Sequence, residues 1–154
     1  MPKTSILVVG YGNSIRGDDG LGPAVATQVE AWNLQGVKTL SLHQLTPEVA
    51  AELAIVKYAI FIDASIDKKS IEVIPIQPLE NTEIKWGHYL SPQTLLNLTQ
   101  NLYETVPQAD LISIPGVNFE LCDRLSLEAE NSVTKALEII DQLMSKFSAH
   151  TETH

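Results

Sequence analysis

The chain has 154 residues, enough to bury a core as one domain, and its 44% apolar and 19% charged residues are ordinary globular composition. Disorder, collagen and coiled coil are excluded as the main state. The formal net charge of −9 argues against nucleic acid or an anionic membrane as partner and favours a basic segment on another protein.

The strands and helices follow in order. Residues Ser5 to Val9 read SILVV, the continuous apolar run of a strand buried on both faces, as in a parallel sheet. A glycine-rich turn follows, Gly10-Tyr11-Gly12-Asn13. Beyond Gly17-Asp18-Asp19-Gly20 the period becomes helical. Leu21, Val25, Val29 and Trp32 share a face with Ala24 beside them, and Pro23 stands where a first turn tolerates it. Gly36 ends this helix, and Val37 to Leu42 is a second strand. Thr46-Pro47-Glu48 reads as a helix start with threonine as N-cap, and Val49, Leu53 and Val56 form the inner face.

Tyr58 to Ile62 (YAIFI) is a third buried strand ending at Asp63, and Ile71 to Ile76 a fourth, weaker one. Residues 77–89 read as irregular and polar. Ser91-Pro92 opens a helix with Leu95, Leu96 and Leu102 among its apolar positions. Ala109 to Ile114 is a fifth strand, stopped by Pro115-Gly116. The last helix starts near Ser126 and carries a core stripe of Val133, Ala136, Leu137, Ile140, Leu143, Met144 and Phe147; the tail from Ser148 is expected to fray. Strands alternating with helices predict a three-layer α/β sandwich, one domain over 1–154.

Cys122 is the only cysteine, which excludes an intramolecular disulfide and a multi-cysteine zinc site. No apolar run approaches the roughly 20 residues that span a bilayer. The first residues show no charged leader, long apolar stretch and cleavage site, so a soluble cytoplasmic protein is expected; a monomer is also expected.

In such folds the ligand crevice lies beyond the carboxyl ends of the strands. Three polar positions fall there: the loop after the first strand, His43-Gln44 after the second, and Asp63 after the third. A dinucleotide site is the first idea to test, because Gly10-x-Gly12 follows a strand. The fingerprint fails: position 15 is Ile15, not glycine, and Leu42-His43 stands where an acid is wanted. Asp18 and Asp19 also occupy the helix entrance, where they would repel a pyrophosphate. No nucleotide cofactor is expected.

The same positions suit a cation. Glycines leave space near the carboxylates, and a helix N-terminus keeps an aspartate ionised. The ordinary structural reading is that Asp18 or Asp19 caps the helix. One of the two is expected to cap while the other points outward, and chemistry alone does not say which. Asp63 fits a ligand or a turn residue, and His88 a ligand or surface decoration. Asp, Asp and His together suit a borderline divalent ion. His43 reads as a fourth ligand, a partner contact or a packing residue. Cys122 has no activating neighbour and reads as a passive thiol. Ser14, Ser65 and Ser91 lack the nucleophile elbow.

The run Gly10-Tyr11-Gly12-Asn13-Ser14-Ile15-Arg16-Gly17-Asp18-Asp19-Gly20-Leu21-Gly22 resembles the signature of the hydrogenase maturation proteases, and the likeness extends from about Ser5 to Phe147. These endopeptidases remove a C-terminal extension from the large subunit of nickel–iron hydrogenases. The resemblance implies a twisted, mostly parallel five-stranded sheet between helices and an aspartyl-type endopeptidase. It carries the metal trio over as Asp19, Asp63 and His88, with Asp19 and Asp63 as the catalytic pair. Nickel is implied as the ion, arriving already bound in the precursor, which is the implied partner. Many relatives have an Asp-Gly-Gly-Thr-like stretch after the second strand. Here His43-Gln44-Leu45-Thr46-Pro47-Glu48 stands instead, which looks like the subgroup acting on the bidirectional, NAD-linked hydrogenase (the HoxW type), with His43 and Gln44 reading the substrate. The competing class is a metal-dependent chaperone that inspects the precursor without cutting it.

Overall fold

A computed structural model describes residues 5–79 and 90–152. Five strands form one sheet: β1 (Ile6–Tyr11), β2 (Val37–Leu42), β3 (Tyr58–Ser65), β4 (Glu72–Ile76) and β5 (Gln108–Pro115), in the order β2-β1-β3-β5-β4. β1 pairs in parallel with β2 and β3, and β3 with β5. β4 runs antiparallel to β5 on the sheet edge. Its edge position explains the weaker sequence signal, because Pro75 removes a ladder donor and is tolerated only there.

The two central apolar runs are buried on both faces, as parallel strands require. Ile6 and Val8 of β1, Tyr58, Ile60 and Ile62 of β3, and Ile112 and Ile114 of β5 face one layer. That layer holds α1 (Leu21–Ala31), through Val25 and Val29, and α4 (Leu127–Glu152), through Ala136, Ile140 and Met144. The alternate residues Leu7, Val9, Ala59 and Phe61 face α2 (Val49–Leu53) and α3 (Pro92–Tyr103) across the sheet. The result is the three-layer sandwich that the alternating pattern predicts. None of the helices among the described residues is long and apolar enough to cross a membrane.

Several local expectations shift. The segment before α2 begins with single turns, Val49 N–H to Thr46 O and Ala50 N–H to Pro47 O, and the regular helix starts at Val49. Thr46 does not cap it; its side chain bonds that of Glu48 instead. Trp32 falls just past the end of α1 and is 38% exposed, while Ala26 is among the buried residues of the helix. Leu102 is exposed near the end of α3, where Leu95 and Leu96 carry the packing. α3 starts as expected, with Ser91 Oγ accepting from Thr94 N–H ahead of Pro92. α4 continues past residue 148 to Glu152.

The two adjacent aspartates have opposite fates. Asp18 is fully buried. Its Oδ2 accepts from Val117 N–H (2.8 Å), Asn118 N–H (3.1 Å) and Ser126 Oγ (2.8 Å), and its Oδ1 accepts from Ser126 N–H (2.8 Å). Ser126 Oγ in turn accepts from Ala129 N–H in the first turn of α4. Burial pushes the Asp18 carboxyl up, but these four bonds outweigh it and hold it below the ordinary range. Asp18 therefore caps at a distance. It ties the loop before α1 to the β5–α4 connection and the start of α4.

Asp18→Asn replaces an acceptor oxygen by a second donor among donors. It is expected to destabilise the fold by about 2–4 kcal/mol, the loss typical of a buried charged hydrogen-bond cluster. Asp19→Asn should change the melting temperature little, and chemical denaturation of the two variants separates them.

Candidate active site

The site stands on the carboxyl ends of β1 and β3, and glycine positions make it possible. A Cβ on Gly10 would come within 1.9 Å of the Gly22 carbonyl oxygen, and one on Gly22 within 2.5 Å of the carbonyl oxygens of Tyr11 and Ile62. The start of α1 thus lies directly on the two strands. Gly12, at φ +149°, passes so close beneath the Asp19 carbonyl that no side chain fits. The 3-10 turn over Gly17–Gly20 then presents Asp19 above the strand ends.

Asp19 is half-buried, and its Oδ2 accepts from Asn13 N–H at 2.7 Å. Asn13 Oδ1 accepts from Ile15 N–H and stiffens the same loop. Asp63 lies within β3, beyond Ile62, which pairs with Gly10. Burial pushes its carboxyl up to about 6; a hydrogen bond from the Tyr11 hydroxyl opposes this, the negative charge of Asp19 adds to it, and a bond from the Ala64 amide opposes it. The Tyr11 hydroxyl is raised well above its ordinary range, first by its own burial and then by the Asp63 and Asp19 charges, so it remains a proton donor. Two carboxylates are therefore close enough to feel one another in a partly desolvated place.

They open into a cavity of about 440 Å³ that collects most of the positions singled out in the sequence. Asp19 and Asp63 lie in its wall with the exposed pair His43 and Gln44, so the ends of β1, β2 and β3 do converge. Arg16 lines the rim, and Ile66, Leu90 and Phe119 supply apolar wall. A cavity of about 420 Å³ at the opposite end of the sheet, between Ile6, Lys57 and Met144, contains a single carboxylate, Asp141, and no such convergence. His88 lies outside the described residues. Tyr11, Arg16 and Phe119 were missed as site residues. Tyr11 was legible as the one side chain between two strand-end glycines; Phe119, in a loop far along the chain, carried no signal.

The hydroxyls of Ser65 and Ser91 are engaged structurally, and Cys122 is a half-buried free thiol. Cys122 joins the loop ladder through its backbone, with its N–H on Ile15 O and its carbonyl on Gly17 N–H. Ser65 Oγ bonds Asp67, and Ser91 caps α3. The chemistry available is thus oxygen ligation by two carboxylates. Among the described residues no group of three His, Cys, Asp or Glu is arranged to hold a metal ion, so His43, though it lines the cavity, does not join the two carboxylates as a ligand set. The donor set fits a divalent cation, whose charge would relieve the repulsion between Asp19 and Asp63.

No family model matches the chain. A protein of Methanocaldococcus jannaschii assigned as a hydrogenase maturation protease is 29% identical over 152 residues, covering 91% of this chain and 96% of that protein. The hydrogenase maturating endopeptidase HybD from Escherichia coli shares the fold at a TM-score of 0.73 and 19% identity, over 92% of this chain and 93% of that one. The nickel–iron hydrogenase maturation protease HycI from Thermococcus kodakarensis does so at a TM-score of 0.72 and 21% identity, over 93% and 94%. Sequence likeness and fold agree with the signature around Asp19: the chain is similar to hydrogenase maturation proteases over nearly its whole length.

The raised Asp63 carboxyl has a measurable consequence. The folded protein holds its proton to about pH 6, whereas an unfolded chain releases it near 3.8, so stability falls as pH rises through that window. In chelator-treated protein, Asp63→Asn is expected to melt higher than the parent above pH 6, since asparagine still accepts from Tyr11. The difference should vanish below pH 4. Equal melting at pH 8 would show that the Asp63 carboxylate carries no such penalty.

Proposed function

We propose that the chain is a nickel-dependent endopeptidase that removes the C-terminal extension from the large-subunit precursor of a nickel–iron hydrogenase, of the bidirectional, NAD-linked type. The observation that carries the reading is the convergence of Asp19 and Asp63 in one cavity at the strand ends of a maturation-protease fold. On this reading the chain is a hydrolase, as the maturation proteases it is similar to are.

The precursor brings its own nickel as part of the substrate. Asp19 keeps one oxygen beyond its bond to Asn13, and the Asp63 carboxylate faces the same space, so both can ligate an incoming ion. His88 is proposed as the third ligand. The ion would supply charge that polarises the scissile carbonyl or a water. The chain holds its two carboxylates in place and adds apolar wall from Ile66, Leu90 and Phe119. His43 and Gln44, which are exposed and line the cavity, are proposed to meet the segment flanking the cut. The enzyme is proposed to act as a cytoplasmic monomer, without nucleotide, nucleic acid or membrane.

Purified protein incubated with nickel-loaded precursor should yield a shortened large subunit and a released peptide by intact mass, and nickel-free precursor should stay intact. Asp19→Asn should abolish processing with the fold retained; full activity would remove Asp19 from the site. Complex formation without any mass change would favour the chaperone reading. Replacing His43-Gln44 by Asp-Gly should change which precursor is accepted, and unchanged selectivity would refute their role in recognition.

A further inference from the structure

Each acidic side chain in the cavity has a second anchor, and the two anchors differ. Asp19 is fixed by a main-chain donor, Asn13 N–H. Asp63 takes a side-chain donor from the neighbouring strand. Gly10 pairs with Ile62, so Tyr11, the last residue of β1, and Asp63, within β3, follow one residue further on along adjacent parallel strands, and both side chains line the same cavity. The Tyr11 phenol bonds the Asp63 carboxylate there. A carboxylate plane rotates over a broad well. A donor mounted on a rigid ring, itself held in the neighbouring strand, can fix that plane.

We propose that Tyr11 is a positioning residue for metal engagement: its hydroxyl sets the plane of the Asp63 carboxylate so that a divalent cation meets it together with Asp19. The proposal rests on the reading of Asp19 and Asp63 as ligands. Partners that orient a ligating carboxylate from outside typically contribute about 10- to 100-fold in affinity.

The fold supplies its own control. At the other end of the sheet Tyr58 Oη donates to Asp110 Oδ2 at 2.5 Å, with Phe147 stacked on the ring at 5.0 Å between centroids. Tyr58→Phe deletes a hydroxyl–carboxylate bond of the same kind, but away from the cavity. Full-length chelator-stripped protein is titrated at pH 8 with cobalt(II), read by visible absorption, and with nickel(II), read by calorimetry; melting temperatures are recorded in parallel. Tyr11→Phe should bind both ions about 10- to 100-fold more weakly and alter the cobalt absorption envelope, whereas Tyr58→Phe should bind as the parent does, whatever its melting temperature. Parental affinity in Tyr11→Phe would overturn the positioning role while leaving the ligand reading intact. An equal loss in Tyr58→Phe would overturn it as well, since the effect would then be general to the fold. Absence of binding by the parent protein would overturn the ligand reading and this proposal with it.

Discussion

Asp18 accepts hydrogen bonds from residues 99 to 108 positions away in the chain and connects three parts of the molecule that nothing local would join. The loop after β1, the turn after β5 and the first turn of α4 all close on one buried carboxylate. In a low-dielectric setting a charge is tolerated only when its lone pairs are filled, and here four donors fill them. The 3-10 turn is thereby held in one orientation, and its next residue, Asp19, is left facing the strand ends. The placement of the chemically available aspartate depends on the satisfaction of the unavailable one.

The second constraint is close backbone approach. Gly10, Gly12 and Gly22 let β1, the loop and α1 pack with no side chain between them. The same glycines that look like a nucleotide-binding fingerprint serve here to bring a carboxylate over the sheet. The electrostatics then follow. Asp63 is partly desolvated and sits beside the Asp19 charge, with one phenol and one amide as partners among the described residues. A site of that kind is costly while it lacks a counter-charge and becomes favourable when a cation enters. This suits the proposed reading, in which the precursor brings the ion.

Much of this was legible in the residues. The continuous apolar runs of β1 and β3, the 3.6-residue stripe on α4 and the Ser91-Pro92 start of α3 are local signals, and each became the expected element. Where local signals failed, tertiary context decided. Trp32 and Leu102 match helical periodicity yet lie at helix ends, beyond the reach of the sheet. Thr46 has the chemistry of a cap, but its side chain bonds Glu48 and the helix begins later.

The sequence by itself determined the alternating α/β architecture, the acidic loop at a strand end and the family likeness, because periodicity and short motifs are written in neighbouring residues. Which of Asp18 and Asp19 would be buried could not be read there, since the donors that decide it, Val117, Asn118 and Ser126, come from another stretch of chain. The Tyr11–Asp63 bond was equally hidden, for it exists only once β1 and β3 pair in register. Only the tertiary structure brings such distant groups within hydrogen-bonding range, and it is that proximity that assigns one carboxylate to the fold and leaves its neighbour free for chemistry.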